Sequence, residues 1–254
     1  SCLPDDFRPH PHRRNRYISS TRPVLPHDSV SHLKPRTNIA RMIEFGHLSH
    51  VGLRRELNED TYYGDSELGL WLVADGMGGH EYGEVASALA REAIVREIRG
   101  GSPLADAIRI ADEEIIRCSK RRGDSLPMGT TVVAAKVQGN RFEVAWVGDS
   151  RVYRLRGHTI EQLTFDHSLV WEMAAAGHAS EEDVPAYVPK NVITRSLGPH
   201  PTVKVDLEGP LPIRAGDRFL LCSDGLTGPL NPQLIGMVLA SLPPEEAAQT
   251  LVDL

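Results

Sequence analysis

Three cysteines in 254 residues are too few and too scattered for a disulfide framework. Cys2, Cys118 and Cys222 have no metal-ligand spacing either, so a zinc site is not indicated and a reducing compartment is expected. Long apolar runs are also missing. None approaches the roughly 18 residues that cross a bilayer, and the N-terminus has no apolar signal-peptide core, so a soluble, cytoplasmic chain is expected. Basic excess is absent: Lys and Arg number 28 against 34 Asp and Glu, a formal charge of -6, which argues against a general nucleic-acid surface. The first residue is Ser, so the numbering is not expected to begin at a natural start.

Apolar periodicity is missing from residues 1–40. Pro4, Pro9, Pro11, Pro23, Pro26 and Pro35 interrupt this stretch, and Arg8, Arg13, Arg14, Arg16 and Arg22 make it basic. A flexible, basic, Pro-rich tail is therefore expected, with one domain over 41–254. His10, His12, His27 and His32 are too irregularly spaced to favour a ligand set over a solvated tail. The 41% hydrophobic content is ample for a core.

Within the domain, the chain repeats one pattern: a buried strand that runs out in an aspartate. Leu70 to Ala74 is a run of five apolar residues that ends in Asp75-Gly76-Met77-Gly78-Gly79-His80. Val144 to Val147 leads into Gly148-Asp149-Ser150-Arg151, and Phe219 to Cys222 into Ser223-Asp224-Gly225. Singly, each Asp-Gly reads as a turn. Side by side, three such strand ends would crowd negative charge at one rim, which protons or cations must relieve. A fourth acidic stretch, Asn58-Glu59-Asp60, lies just upstream. Carboxylate oxygens suit Mg²⁺ or Mn²⁺.

Helical spacing of apolar residues covers Glu84 to Ile98, then Leu104 to about Arg122 with Ser102-Pro103 as cap and first turn. Strands are expected at Met42–Leu48, near Thr61–Tyr63, at 70–75, Thr130–Val137, Phe142–Val147, Val152–Leu155, Val203–Leu207 and Phe219–Cys222. Short turns between neighbouring strands argue for antiparallel sheets. A short helix from Ser168 to Ala176 opens a polar excursion over about 166–190, and helices are expected at Pro232–Leu242 and Glu245–Leu254.

Arg55 with Asn58-Glu59-Asp60, Asp75-Gly76-Met77-Gly78-Gly79-His80, Met128-Gly129-Thr130-Thr131, Gly148-Asp149-Ser150-Arg151, Asp166-His167-Ser168, Asn191 to Arg195 and Cys222 to Leu226 stand in this order. Together they resemble the metal-dependent protein phosphatases, the type 2C Ser/Thr phosphatases, in their bacterial branch. The resemblance implies an α+β fold, a four-layer α-β-β-α sandwich with two central antiparallel sheets and a flap at about 166–190. It implies hydrolysis of phosphoserine and phosphothreonine in proteins, with two Mg²⁺ or Mn²⁺ ions and a third, weaker one. Carried onto this chain, Asp75 is the bridging ligand, the Gly76 carbonyl a further contact, Glu59 and Asp60 serve one metal, Asp224 the other, and Asp149 the third. Arg55 is the phosphate clamp, though a surface ion pair is the alternative for any lone Arg; His80 is a proton donor, with a core or capping role standing beside it. Implied partners are phosphoproteins, substrates of a Ser/Thr kinase, met by a monomer that binds neither nucleic acid nor membrane. Ser150 lacks the Gly-x-Ser-x-Gly elbow of a hydrolase nucleophile.

One departure bears on activity. The family pattern closes on an Asp-Asn that completes a metal site, and no Asp-Asn occurs in these 254 residues. The expectation is either an apparently truncated C-terminal end or a true loss of the last ligand and strand, with weakened metal occupancy at Asp224, an unpaired sheet edge, and reduced activity and solubility. A phosphoprotein-binding pseudophosphatase and a hydrolase of small phosphate esters are the competing readings.

Overall fold

The structure, a computed structural model, describes residues 18–23, 42–52, 57–78, 82–122, 128–176 and 192–254. Among these described residues, eleven strands and six helices follow in order: β1 (Ile18–Pro23), β2 (Ile43–Leu48), β3 (Asp60–Asp65), β4 (Leu70–Met77), α1 (Tyr82–Arg99), α2 (Leu104–Arg122), β5 (Gly129–Thr130), β6 (Val132–Gln138), β7 (Arg141–Val147), β8 (Arg151–Arg156), β9 (Thr159–Gln162), α3 (Leu169–Ala175), β10 (Asp206–Pro212), β11 (Arg218–Cys222), α4 (Asp224–Thr227), α5 (Pro232–Ser241) and α6 (Pro244–Asp253). One sheet runs β2-β1-β11-β8-β9, the other β10-β7-β6-β4-β3 with β5 added against β4. Every pairing is antiparallel.

Strand alternation sorts the core into three layers. On β4, Leu70 and Leu72 face one way and pack with Ala90, Ile94, Ile108 and Ile115 of α1 and α2. Trp71 and Val73 face the other way and meet Val152, Phe219 and Leu221 of the opposite sheet. This two-residue period is the reason a continuous apolar run serves a strand with both faces covered. The far face of the first sheet carries Tyr153, Leu155 and Leu220 against Ile235, Leu239, Ala247 and Leu251 of α5 and α6. The result is the expected α-β-β-α sandwich. At Gly46 a Cβ would stand 2.5 Å from the Glu245 nitrogen, so the missing side chain lets the start of α6 lie directly on β2.

Several expectations need correction. The tail over 1–40 is not wholly outside the fold: Ile18–Pro23 is a strand that pairs along its length with β2 and at four residues with β11. Backbone hydrogen bonding recruits it despite its polar composition, and β11 is thereby paired on both sides by β1 and β8. The strand expected at Val203–Leu207 begins instead at Asp206 and runs to Pro212, because its register is set by β7. β9 and α4 add to the expected elements. The Ser102 hydroxyl donates to Glu97 Oε2 at 3.1 Å. Cys118 is disulfide-bonded, which the scatter of three cysteines did not suggest; Cys222 is free and buried. No helix among the described residues is long and apolar enough to cross a membrane.

Candidate metal centre

Register places the first two carboxylates together. Asp60 opens β3 and pairs directly with Asp75 near the end of β4. Residues opposite each other in an antiparallel pair project to the same face with Cβ atoms about 5 Å apart. The Asp75 backbone is held on both sides: its N–H donates to Thr131 Oγ1 at 3.1 Å, and its carbonyl accepts from Thr131 N–H at 2.8 Å and Thr130 Oγ1 at 2.9 Å. Gly76 follows. Its N–H donates to the Glu59 carbonyl at 3.0 Å, and a Cβ there would lie 2.1 Å from the Gly83 carbonyl oxygen. Gly83 in turn is where a Cβ would strike Glu59 Oε1 at 2.6 Å. Two glycines thus allow the start of α1, the end of β4 and the Glu59 carboxylate to converge. Ser87 Oγ completes the junction by donating to the Glu59 carbonyl at 2.6 Å.

The opposite sheet supplies Asp224, the first residue of α4, two positions after the last residue of β11. Ser223 stands at the N-cap without a capping hydrogen bond; its hydroxyl donates instead to Asp60 Oδ2 at 3.1 Å, tying the end of one sheet to the start of β3 in the other. Sequence reasoning missed this residue. The signal was a Ser between a buried strand and a helix start, a position usually occupied by a capping group. Asp149 lies in the turn joining β7 to β8 and is 8% exposed.

Electrostatics report the convergence of all four aspartates. The Asp75 carboxyl is raised well above its ordinary range, first by burial and then by Asp60, Asp224 and Asp149. Asp149 is pushed up to about 7, by burial first, then by Asp224 and Asp166. Buried like charges favour a proton or a cation. The donors are all oxygens, the set preferred by Mg²⁺ and Mn²⁺. Among the described residues no three such side chains close into a finished metal cage; the aspartates are neighbours through their fields and share one rim. Asp60, Asp75, Asp149 and Asp224 fit a divalent metal on this ground, and Glu59 and Gly76 adjoin them. Arg55, Gly79 and His80, and the clamp and proton-donor roles expected of Arg55 and His80, lie outside the described residues.

Polar residues next to the rim are partnered within the fold. Thr131 Oγ1 and Ser150 Oγ are 2.8 Å apart. Arg151 grips Asp166 with two parallel bonds, Nε to Oδ1 at 2.8 Å and Nη2 to Oδ2 at 2.5 Å, and also donates to the Tyr153 hydroxyl at 3.0 Å. Such a bidentate fork fixes orientation as well as charge. Asp112, buried on α2, accepts from Gly198 N–H at 2.7 Å, and burial raises its carboxyl.

Known proteins share this architecture. The protein phosphatase 2C profile matches residues 54–253. A serine/threonine phosphatase, stp, of Listeria monocytogenes serotype 4b (strain F2365) is 40% identical over 166 residues, which is 61% of this chain and 66% of the relative. The serine/threonine protein phosphatase PstP of Mycobacterium tuberculosis (strain CDC 1551 / Oshkosh) is 34% identical over 225 residues, covering 85% of this chain and 42% of PstP. The chain thus spans somewhat under two thirds of the first relative's length and less than half of the second's. The solved catalytic domain of PstP in complex with two manganese ions superposes with a TM-score of 0.68 at 34% identity, over 80% of this chain and 86% of that one.

Proposed function

The chain belongs to the protein phosphatase 2C family, and from that membership we propose that it is a metal-dependent protein serine/threonine phosphatase. The observation that carries the reading is the meeting of Asp60, Asp75, Asp149 and Asp224, from two strand ends, one turn and one helix start, at a single rim. Asp75, buried and within the fields of Asp60, Asp224 and Asp149, would be the central ligand. Asp60 and Glu59 would hold one ion and Asp224 the other, the Gly76 carbonyl would add a contact, and Asp149 would serve a third, weaker position. When bound, Mg²⁺ or Mn²⁺ supplies positive charge against the phosphoryl oxygens and acidifies a water for attack on phosphorus.

The chain's own residues set the stage for that chemistry. Thr130 and Thr131 hold the Asp75 peptide on both sides, so its carboxylate cannot swing with the strand end. Ser223 orients Asp60 from the opposite sheet. Arg55 binds the phosphoryl group through its planar donor fork, and His80 is the proton donor to the leaving alkoxide. Its substrates are phosphoproteins made by a Ser/Thr kinase, and it acts as a cytoplasmic monomer apart from nucleic acid and membrane.

The test is hydrolysis of a phosphothreonine peptide by the purified chain, with and without Mn²⁺, beside a small aryl phosphate. Mn²⁺-dependent turnover of the peptide that Asp75→Asn abolishes is expected. Mn²⁺ and phosphopeptide binding without turnover would make the chain a binding module; an active Asp75→Asn variant would remove the metal mechanism.

A further inference from the structure

His167 is not required by the ligand set, yet it is 2% exposed and touches three parts of the fold at once. The Gly148 N–H donates to its Nδ1 at 2.9 Å, and its own N–H donates to the Gly148 carbonyl at 3.0 Å. Two bonds to one residue fix the peptide that immediately precedes Asp149. That peptide needs fixing: Gly148 has φ +111°, in the left-handed region, and a Cβ there would stand 2.5 Å from Thr131 Cβ. On its other side the turn is held through Ser150 and Thr131, which reaches Asp75.

The imidazole is itself locked. Because Nδ1 accepts, the ring proton sits on Nε2, which donates to Asp206 Oδ2 at 2.9 Å. Asp206 is held in turn by Arg195 and by Lys204, whose Nζ lies 3.0 Å from Oδ1. The His167 carbonyl accepts from Thr194 N–H at 2.8 Å, and Ser168 bridges to Ile193. Trp146 stacks parallel to the ring at 6.2 Å, with 11° between planes. Burial and the Arg195 charge push the imidazole's pKa down, which keeps Nδ1 a free acceptor.

We propose that His167 is a positioning residue for Asp149: it sets the Gly148 peptide, and through it the direction in which the Asp149 carboxylate meets a divalent cation. The inference rests on Asp149 being a ligand. It identifies a line of support, Arg195 to Asp206 to His167 to Gly148, which anchors the metal rim on the edge strand β10 and on residues 192–195. Partners of this kind, one bond removed from a ligand, typically change metal affinity by about 10–100-fold.

The experiment is calorimetric titration of the metal-free chain with Mn²⁺, for wild type and the variants Asp149→Asn, His167→Gln and His167→Asn, each accompanied by a thermal melt. Asn places an oxygen where Nδ1 stands and keeps the Gly148 bond; Gln reaches Asp206 but leaves Gly148 without an acceptor. Expected is a weakest Mn²⁺ step that disappears in Asp149→Asn, loses about 10–100-fold in His167→Gln, and stays within about threefold of wild type in His167→Asn. Combining Asp149→Asn with His167→Gln then costs nothing further. A role confined to stability would lower both melting temperatures without separating the two Mn²⁺ affinities, and would overturn the proposal. So would wild-type affinity in His167→Gln. If Asp149→Asn binds Mn²⁺ as wild type does, the ligand assignment fails and the proposal falls with it; unchanged Mn²⁺ affinity in His167→Gln alone removes only the positioning role. Should His167→Gln not fold, long-range proton–nitrogen NMR of the wild type decides: an Nδ1–H tautomer at His167 overturns the proposal, an Nε2–H tautomer with a hydrogen-bonded Nδ1 supports it.

Discussion

Replacing Asp149 by Asn is expected to make the metal-free protein more stable at pH 8. The carboxyl is 8% exposed and its pKa is raised from an ordinary 3.8 to about 7 by burial, Asp224 and Asp166. Between those two values the folded chain binds a proton that the unfolded chain does not, so stability falls as pH rises through the window. The loss is absent below about 3.8 and complete above about 7. At 1.36 kcal/mol per pH unit, the interval corresponds to about 4 kcal/mol of strain carried by ionised Asp149. Asn keeps the shape and removes the charge. Thermal melts of chelator-treated wild type and variant, followed by tryptophan fluorescence at pH 5 and pH 8, measure the difference; carboxylates away from the rim titrate equally in both and subtract out. At roughly 2–4 °C per kcal/mol for a chain of this size, the variant melts about 10 °C higher at pH 8, and the gap narrows as pH falls. Equal stability at pH 8, or a gap that does not shrink at pH 5, would refute the crowded-carboxylate account. Added Mn²⁺ narrows the gap, because it stabilises wild type more than the variant.

Asp75→Asn is expected to retain the fold and lose Mn²⁺ binding and phosphopeptide hydrolysis together, read by calorimetry and phosphate release. Gly76→Ala forces a Cβ to within 2.1 Å of the Gly83 carbonyl; α1 must shift, with a loss of about 1–3 kcal/mol in a denaturant melt. Asp112→Ala strands the Gly198 N–H in the interior and costs about 1–3 kcal/mol, while Asp112→Asn keeps an acceptor and stays near wild type by the same measurement.

Legibility followed the strength of side-chain signals. The apolar runs of β4, β7 and β11 and the helical stripes of α1 and α2 announced themselves, because burial on both faces or on one stripe demands that pattern. β1 did not, since Ile-Ser-Ser-Thr-Arg-Pro has neither alternation nor bulk and is held by backbone pairing with two neighbours. β9 is four residues long, three of them polar, and was equally silent. At the site, the aspartates were visible as strand terminators. Their mutual register, the Ser223 bridge to Asp60 and the Gly148–His167 contact depend on segments far apart in the chain and had no linear signature.

The pairing of Asp60 with Asp75 sets a limit on how this centre can vary. Because the two carboxylates sprout from facing rungs of one ladder, their separation is dictated by the pitch between neighbouring strands, about 5 Å, and hardly by rotamer choice. Loop remodelling cannot pull them apart; only a slip of one strand against the other can, and that would turn either Tyr62 of β3 or Trp71 and Val73 of β4 out of the space between the sheets. The sandwich interior thus acts as a gauge block for the charges at its rim.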